Sequence, residues 1–183
     1  MRDFLSKILL KRKLAKHARE KCFYNFNTAK TVGILFNASN GEVYSEVKLL
    51  LQYFNQKKIK VEGLGFASKE QIDAFYKTYT GFQFFCEKDF NYLKSPKSNT
   101  VIDFINEPFD ILIDMSFSDL FYFTSICQLS VASFKAGSFP ERQECFDFFI
   151  DLPDSSEPSI FTSNLKHYLE NINGHNNDEH QPI

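Results

Sequence analysis

The chain has 183 residues, 43% hydrophobic and 24% charged, with a net charge of −2. That length suits one domain with a core of its own, and it leaves no room for two full-sized domains. The composition excludes a disordered chain, and no run approaches the roughly 20 apolar residues of a spanning helix.

Residues 1–26 form a basic leader. Within 1–21, eight Lys/Arg face Asp3 and Glu20, a net charge of +6 that leaves −8 on the remainder. No Gly or Pro interrupts residues 3–22, so a helix is expected. Phe4, Leu5, Ile8 and Leu9 give it an apolar tip at helical spacing. Lys11, Arg12, Lys13, Lys16, Arg19 and Lys21 make a basic shaft behind that tip. No cleavage site of small residues follows, so the leader does not read as a secretory signal.

The α/β domain is expected over residues 27–172. Thr31–Phe36 is an apolar run suited to a strand buried on both faces. Asn37–Glu42 has turn chemistry, and Val43–Gln56 carries apolar residues at a helical period. Ile59–Phe66 reads as a second strand, which completes a strand–helix–strand unit. A helix follows over Lys69–Tyr76, then a strand at Phe82–Cys86 and a loop over Lys88–Lys97. A short helix spans Asn99–Asn106. Phe109–Met115 is the clearest strand, and Ser116–Asp119 should cap a helix reaching Leu129. Strands are expected at Val131–Ala136 and Phe146–Leu152, and a last helix at Ile160–Ile172. Residues 173–183 are polar and read as a disordered tail. The alternation predicts an α/β fold: a Rossmann-like layered, mostly parallel sheet of about six strands.

Four segments carry a resemblance: Asn27–Ala38, Val61–Phe66, Phe109–Ser116 and Ala132–Gly137. Together they resemble an uncharacterised family of short α/β proteins from the Bacteroidota, a domain of unknown function. The likeness extends over nearly the whole chain and implies a bacterial cytoplasmic protein; it brings no activity and no catalytic residues. Phe109–Met115, the helix after it and Ala132–Gly137 are also similar to part of the acceptor-side domain of heptosyltransferase-type glycosyltransferases. Those enzymes need a second Rossmann-like domain, for which this chain has no length, so that likeness implies fold alone.

In open α/β sheets ligands sit beyond the carboxyl ends of the strands. Two loops lie there. The first offers Asn37, Ser39, Asn40 and Gly41, but it lacks the glycines a phosphate loop needs. Asn40 or Ser39 reads equally as a helix cap. The second offers Asp114, Ser116, Ser118 and Asp119, where a carboxylate pair could serve acid/base chemistry or hold a metal; capping a helix at a solvated strand end is the plainer reading. No catalytic constellation, metal spacing or cofactor motif emerges. His17, His167, His175 and His180 lie outside the expected strands, and Cys22, Cys86, Cys127 and Cys145 form no pairing pattern, as reduced structural cysteines would.

The leading expectation is a non-catalytic cytoplasmic binding or adaptor protein. Its basic leader would engage RNA or a ribonucleoprotein first, then an anionic membrane surface or the groove of a partner protein. Packing of the leader on its own acidic body is the plainer reading of the same charges. The alternative function is a small enzyme or domain that binds a nucleotide or sugar phosphate between the two loops.

Overall fold

The computed structural model describes residues 19–68, 70–71, 82–153 and 156–172, together with residues 6, 8, 10, 12 and 14. The expected disordered tail and most of the expected helix over 69–76 lie outside the described residues.

Six strands form one sheet in the order β3-β2-β1-β4-β5-β6, every pair parallel. They are β1 (Thr31–Asn37), β2 (Lys60–Phe66), β3 (Phe82–Phe85), β4 (Ile111–Met115), β5 (Phe134–Gly137) and β6 (Phe148–Phe149). The helices are α1 (Gly41–Gln56), α2 (Asn99–Asn106), α3 (Phe121–Leu129) and α4 (Pro158–Asn171). Strand order runs outward from β1 in one direction and from β4 in the other. The point of reversal therefore lies between β1 and β4, where this architecture usually places a ligand.

Parallel strands covered on both sides should be apolar throughout, and the central strands are. All five residues of β4 are buried, as are the middle five of β1. One face packs α1 and α4 over Ile34, Phe36, Ile113 and Met115. The other packs α2 and α3 over Leu35, Leu64 and Leu112. Phenylalanine dominates both layers, since its ring fills volume with no polar atom to satisfy. Phe36 meets Phe82 edge-on at 5.5 Å, and Phe85 meets Phe123 at 6.0 Å.

Two expected strands shift. The chain before β5 does not extend the sheet as far back as Val131, because Val131 and Ser133 donate their N–H groups to the Ile105 and Phe109 carbonyls, which precede β4. Pairing begins only where Phe134 stands opposite Ile111. The last strand shrinks to Phe148–Phe149, preceded by a 3-10 turn over Pro140–Cys145.

Polar side chains fasten the start of the sheet. The Asp110 carboxylate accepts from the N–H groups of Lys30 (2.6 Å) and Thr31 (3.0 Å), and Thr31 Oγ1 accepts from Asp110 N–H (3.0 Å). The Asn25 side chain closes the turn over residues 25–28 and donates to the Ile172 carbonyl, tying the entry of the domain to the end of α4.

Gly33 in β1 is required by close approach. A Cβ there would lie 2.6 Å from the ring of Phe109, itself 1% exposed. Gly33→Ala overpacks a site with no room to give. The expected outcome is a loss of about 1–3 kcal/mol in urea unfolding, with the midpoint lowered and the slope unchanged.

Candidate functional site

The loop after β1 is built as a helix start. Asn40 has extended backbone and its side-chain oxygen accepts from Glu42 N–H (3.0 Å) and Val43 N–H (3.2 Å), which satisfies two orphan donors of α1. Asn37 Oδ1 accepts from Ser39 N–H, and Ser39 Oγ–H donates to the Gln71 side chain at 2.9 Å. Asn37, Ser39, Asn40 and Gly41 line a cavity of about 1010 Å³ together with the first turn of α4. Two helix N-termini meet there, which favours an anion. Glu42, Glu46 and Glu157 also line it, which opposes a phosphate. Glu46 is further engaged by Thr162, whose hydroxyl donates to it at 2.8 Å.

The loop after β4 is built differently. Asp114 is 3% exposed and Arg142 2%. Arg142 Nη2 donates to Asp114 Oδ2 at 2.9 Å and to Ser116 Oγ, while Nη1 donates to the Ser118 carbonyl. The remaining Asp114 oxygen accepts from Ser116 N–H at 2.9 Å. Arg142 stacks over Phe139 at 4.6 Å. The expectation of a solvated strand end with a capping loop is corrected here. The carboxylate is buried and bound by an arginine from the turn over 140–145, and α3 starts at Leu120 without a side-chain cap. Phe117 adopts a left-handed backbone (φ 44°). Such a conformation costs a non-glycine residue about 1–2 kcal/mol, and here it turns the ring onto Phe161 of α4.

The predicted ligand residues therefore separate. Asn37, Ser39, Asn40 and Gly41 face one cavity, Asp114 and Ser116 are buried beside Arg142, and Asp119 lines a second groove of about 830 Å³. That groove lies between the leader and the segment from α3 to the 3-10 turn. Leu10 and Leu14 form part of it, as do Lys135, Arg142 and Cys145.

Lys135 was not singled out by its sequence position. Its ammonium, 3% exposed, donates to the Cys127 carbonyl at 2.6 Å, near the C-terminus of α3. Cations are favoured at that end of a helix. Burial nevertheless pushes its pKa down to about 8.

Part of the leader is seated on the body. Ser6, Ile8, Leu10, Arg12 and Leu14 have helical backbone. Ser6 and Leu10 are buried, and Leu10 and Leu14 join the core layer of α2 and α3. Ile8 is half-buried and Arg12 exposed. Arg19 makes a two-pronged pair with Asp147, both bonds 2.7 Å, and also donates to the Ala132 and Ser133 carbonyls. Lys21 reaches Asp147 at 3.1 Å. Burial alone would raise the Asp147 pKa, but the bonds from Arg19 and Lys21 outweigh it and hold the carboxyl below its usual range. Phe4, Leu5, Leu9, Lys11, Lys13 and Lys16 lie outside the described residues.

Comparison with known proteins bears on this arrangement. The profile of a family of unknown function, DUF6913, matches residues 2–172. The chain belongs to that family. The match takes in the basic leader along with the domain. No curated protein and no solved structure matches the chain, and the likeness to glycosyltransferases gains no structural neighbour.

Two outcomes check the buried charges. Arg142→Ala leaves Asp114 buried without its cation and should cost about 3–5 kcal/mol in denaturant unfolding, part of which Asp114→Ala restores in the double variant. Lys135 has a folded pKa below its unfolded value, so the unfolded chain binds more protons between about pH 8 and 10.5 and stability rises with pH across that window. Lys135→Met should flatten that rise in urea midpoints measured from pH 7 to 11.

Proposed function

We propose that this chain is a non-catalytic binding protein of the bacterial cytoplasm whose basic leader engages RNA or a ribonucleoprotein surface. The observation that carries the reading is the way the leader is held. Leu10 and Leu14 pack down onto the body while Arg12 stands exposed. Arg19 and Lys21 pin the end of the leader to Asp147. Helical positions that turn Leu10 and Leu14 inward and Arg12 outward would lose less entropy on meeting a polyanion than an unfolded segment would. Arg19 and Lys21 are taken up by Asp147, and the leader's other basic residues would hold phosphates by releasing their counterions.

An anionic membrane is the second reading: Leu10 and Leu14 face the body, so a bilayer would have to take up the apolar tip of Phe4, Leu5, Ile8 and Leu9 instead. The alternative of a nucleotide or sugar phosphate at the strand ends has less support. Asp114 and Ser116 are taken up by Arg142, and the cavity after β1 carries three glutamates.

Fluorescence anisotropy with a structured RNA, across a salt series, tests the proposal. The full chain should bind with an affinity that falls steeply with salt. A variant with Lys11, Arg12, Lys13 and Lys16 all changed to Gln should bind more weakly, its log–log salt slope reduced by about 0.7–0.9 per lost phosphate contact. Equal binding by the two proteins, or none at low salt, would sink the reading. Binding to anionic vesicles but not to RNA would move the site to the membrane.

A further inference from the structure

Cys127 and Cys145 come from separate elements, α3 and the end of the 3-10 turn, and are brought together in one apolar layer. Both are free thiols, each is the other's leading electrostatic neighbour, and Gln128 beside Cys127 donates to the Glu144 carboxylate beside Cys145 at 3.1 Å, which holds the two elements together. Their exposure differs. Cys127 is fully buried, whereas Cys145 retains 7% exposure and lines the 830 Å³ groove beneath the leader. Arg142 lines the same groove, as does Lys135, whose ammonium is bonded to the Cys127 carbonyl. Cations beside a thiol favour its thiolate, the form that reacts with oxidants.

We propose that Cys127 and Cys145 are a peroxide-sensitive thiol pair that closes to a disulfide between α3 and the turn carrying Arg142. Cys145 is the attacking thiol, because it opens onto the groove and Cys127 does not. The neighbouring Cys127 lowers the pKa of Cys145, while Cys145 and burial raise that of Cys127. In the first step the Cys145 thiolate attacks hydrogen peroxide. The S–O bond forms, the O–O bond breaks, and one water leaves after taking up a proton, so Cys145 becomes a sulfenic acid. In the second step the Cys127 sulfur attacks the Cys145 sulfur. The S–S bond forms, the S–O bond breaks, and the departing hydroxide takes the Cys127 proton as a second water. The two thiols lose two electrons and the peroxide gains them. A dithiol reductant reverses the bond by exchange.

The oxidised bond would fasten α3 to the segment that presents Arg142 to Asp114, across one wall of the leader groove. The proposal does not depend on RNA binding, since both sulfurs belong to the body.

The test uses the full chain carrying Cys22→Ser, which removes the one exposed thiol and leaves the pair untouched. It is titrated with hydrogen peroxide, with circular dichroism confirming that the fold persists, and mapped by mass spectrometry without reduction. The expected result is a single pair of joined peptides containing Cys127 and Cys145, lighter by two hydrogens and separated again by dithiothreitol. In a Cys127→Ser version the second step is blocked, and dimedone should label Cys145. Peptides joined through Cys86, oxidation of Cys86 ahead of Cys145, or both thiols of the pair surviving peroxide in the folded chain would overturn the proposal.

Discussion

Asp114 is the one polar residue of β4, and its carboxylate is buried where an unpaired charge would cost several kcal/mol. Arg142 removes that cost, and much of the surrounding structure follows from the need. The turn over Pro140–Cys145 must pass over the end of β4 to deliver the guanidinium. That turn then places Cys145 against α3 and supplies part of the groove under the leader. The same contact occupies Ser116 and the Ser118 carbonyl, so three groups that might have faced a ligand are satisfied within the chain. A buried ion pair of this kind contributes little net stability compared with apolar residues, but breaking it is expensive. Its effect is to fix which segment lies over the switch point.

The second constraint is the seating of the leader. A segment of net +6 beside a body of −8 is drawn toward it, but screening over about 8–10 Å makes bulk attraction a weak guide to position. Specific contacts supply the position. Asp147 takes both prongs of Arg19, reaches Lys21 and accepts from the Lys135 N–H, which joins leader, β5 and β6 approach at one carboxylate. Leu10 and Leu14 add apolar burial farther along. The leader is thus partly a structural element and partly a charged surface. The two roles use different residues, which is why a binding function and a packed leader are compatible.

Much of the fold could be read from the sequence because the central strands are nearly pure apolar runs and Asn40 sits where a cap is needed. β1, β2 and β4 fall within a residue or two of expectation for that reason. β5 and β6 are harder, because Val131 and Ala132 are apolar yet satisfy their N–H groups outside the sheet, on the Ile105 carbonyl and the Ser130 hydroxyl. The candidate site was less legible. Arg142 lies in a polar stretch with no spacing that points to β4, and only folding brings it across 28 positions to Asp114. One signal was present: an aspartate inside an apolar strand must find a donor. Lys135, flanked by Phe134 and Ala136, carried the same signal. The cysteine pair had none, because 18 residues and a change of element separate Cys127 from Cys145.

Arg142 occupies the polar groups at the end of β4, so a nucleotide or sugar phosphate should find no partner there. Thermal melting of the full chain against a series of nucleotides and sugar phosphates, with inorganic phosphate at matched ionic strength as reference, tests it most directly. The account predicts melting temperatures that coincide with the reference at every concentration. A saturable rise for one of these ligands, abolished by Asp114→Asn, would contradict it.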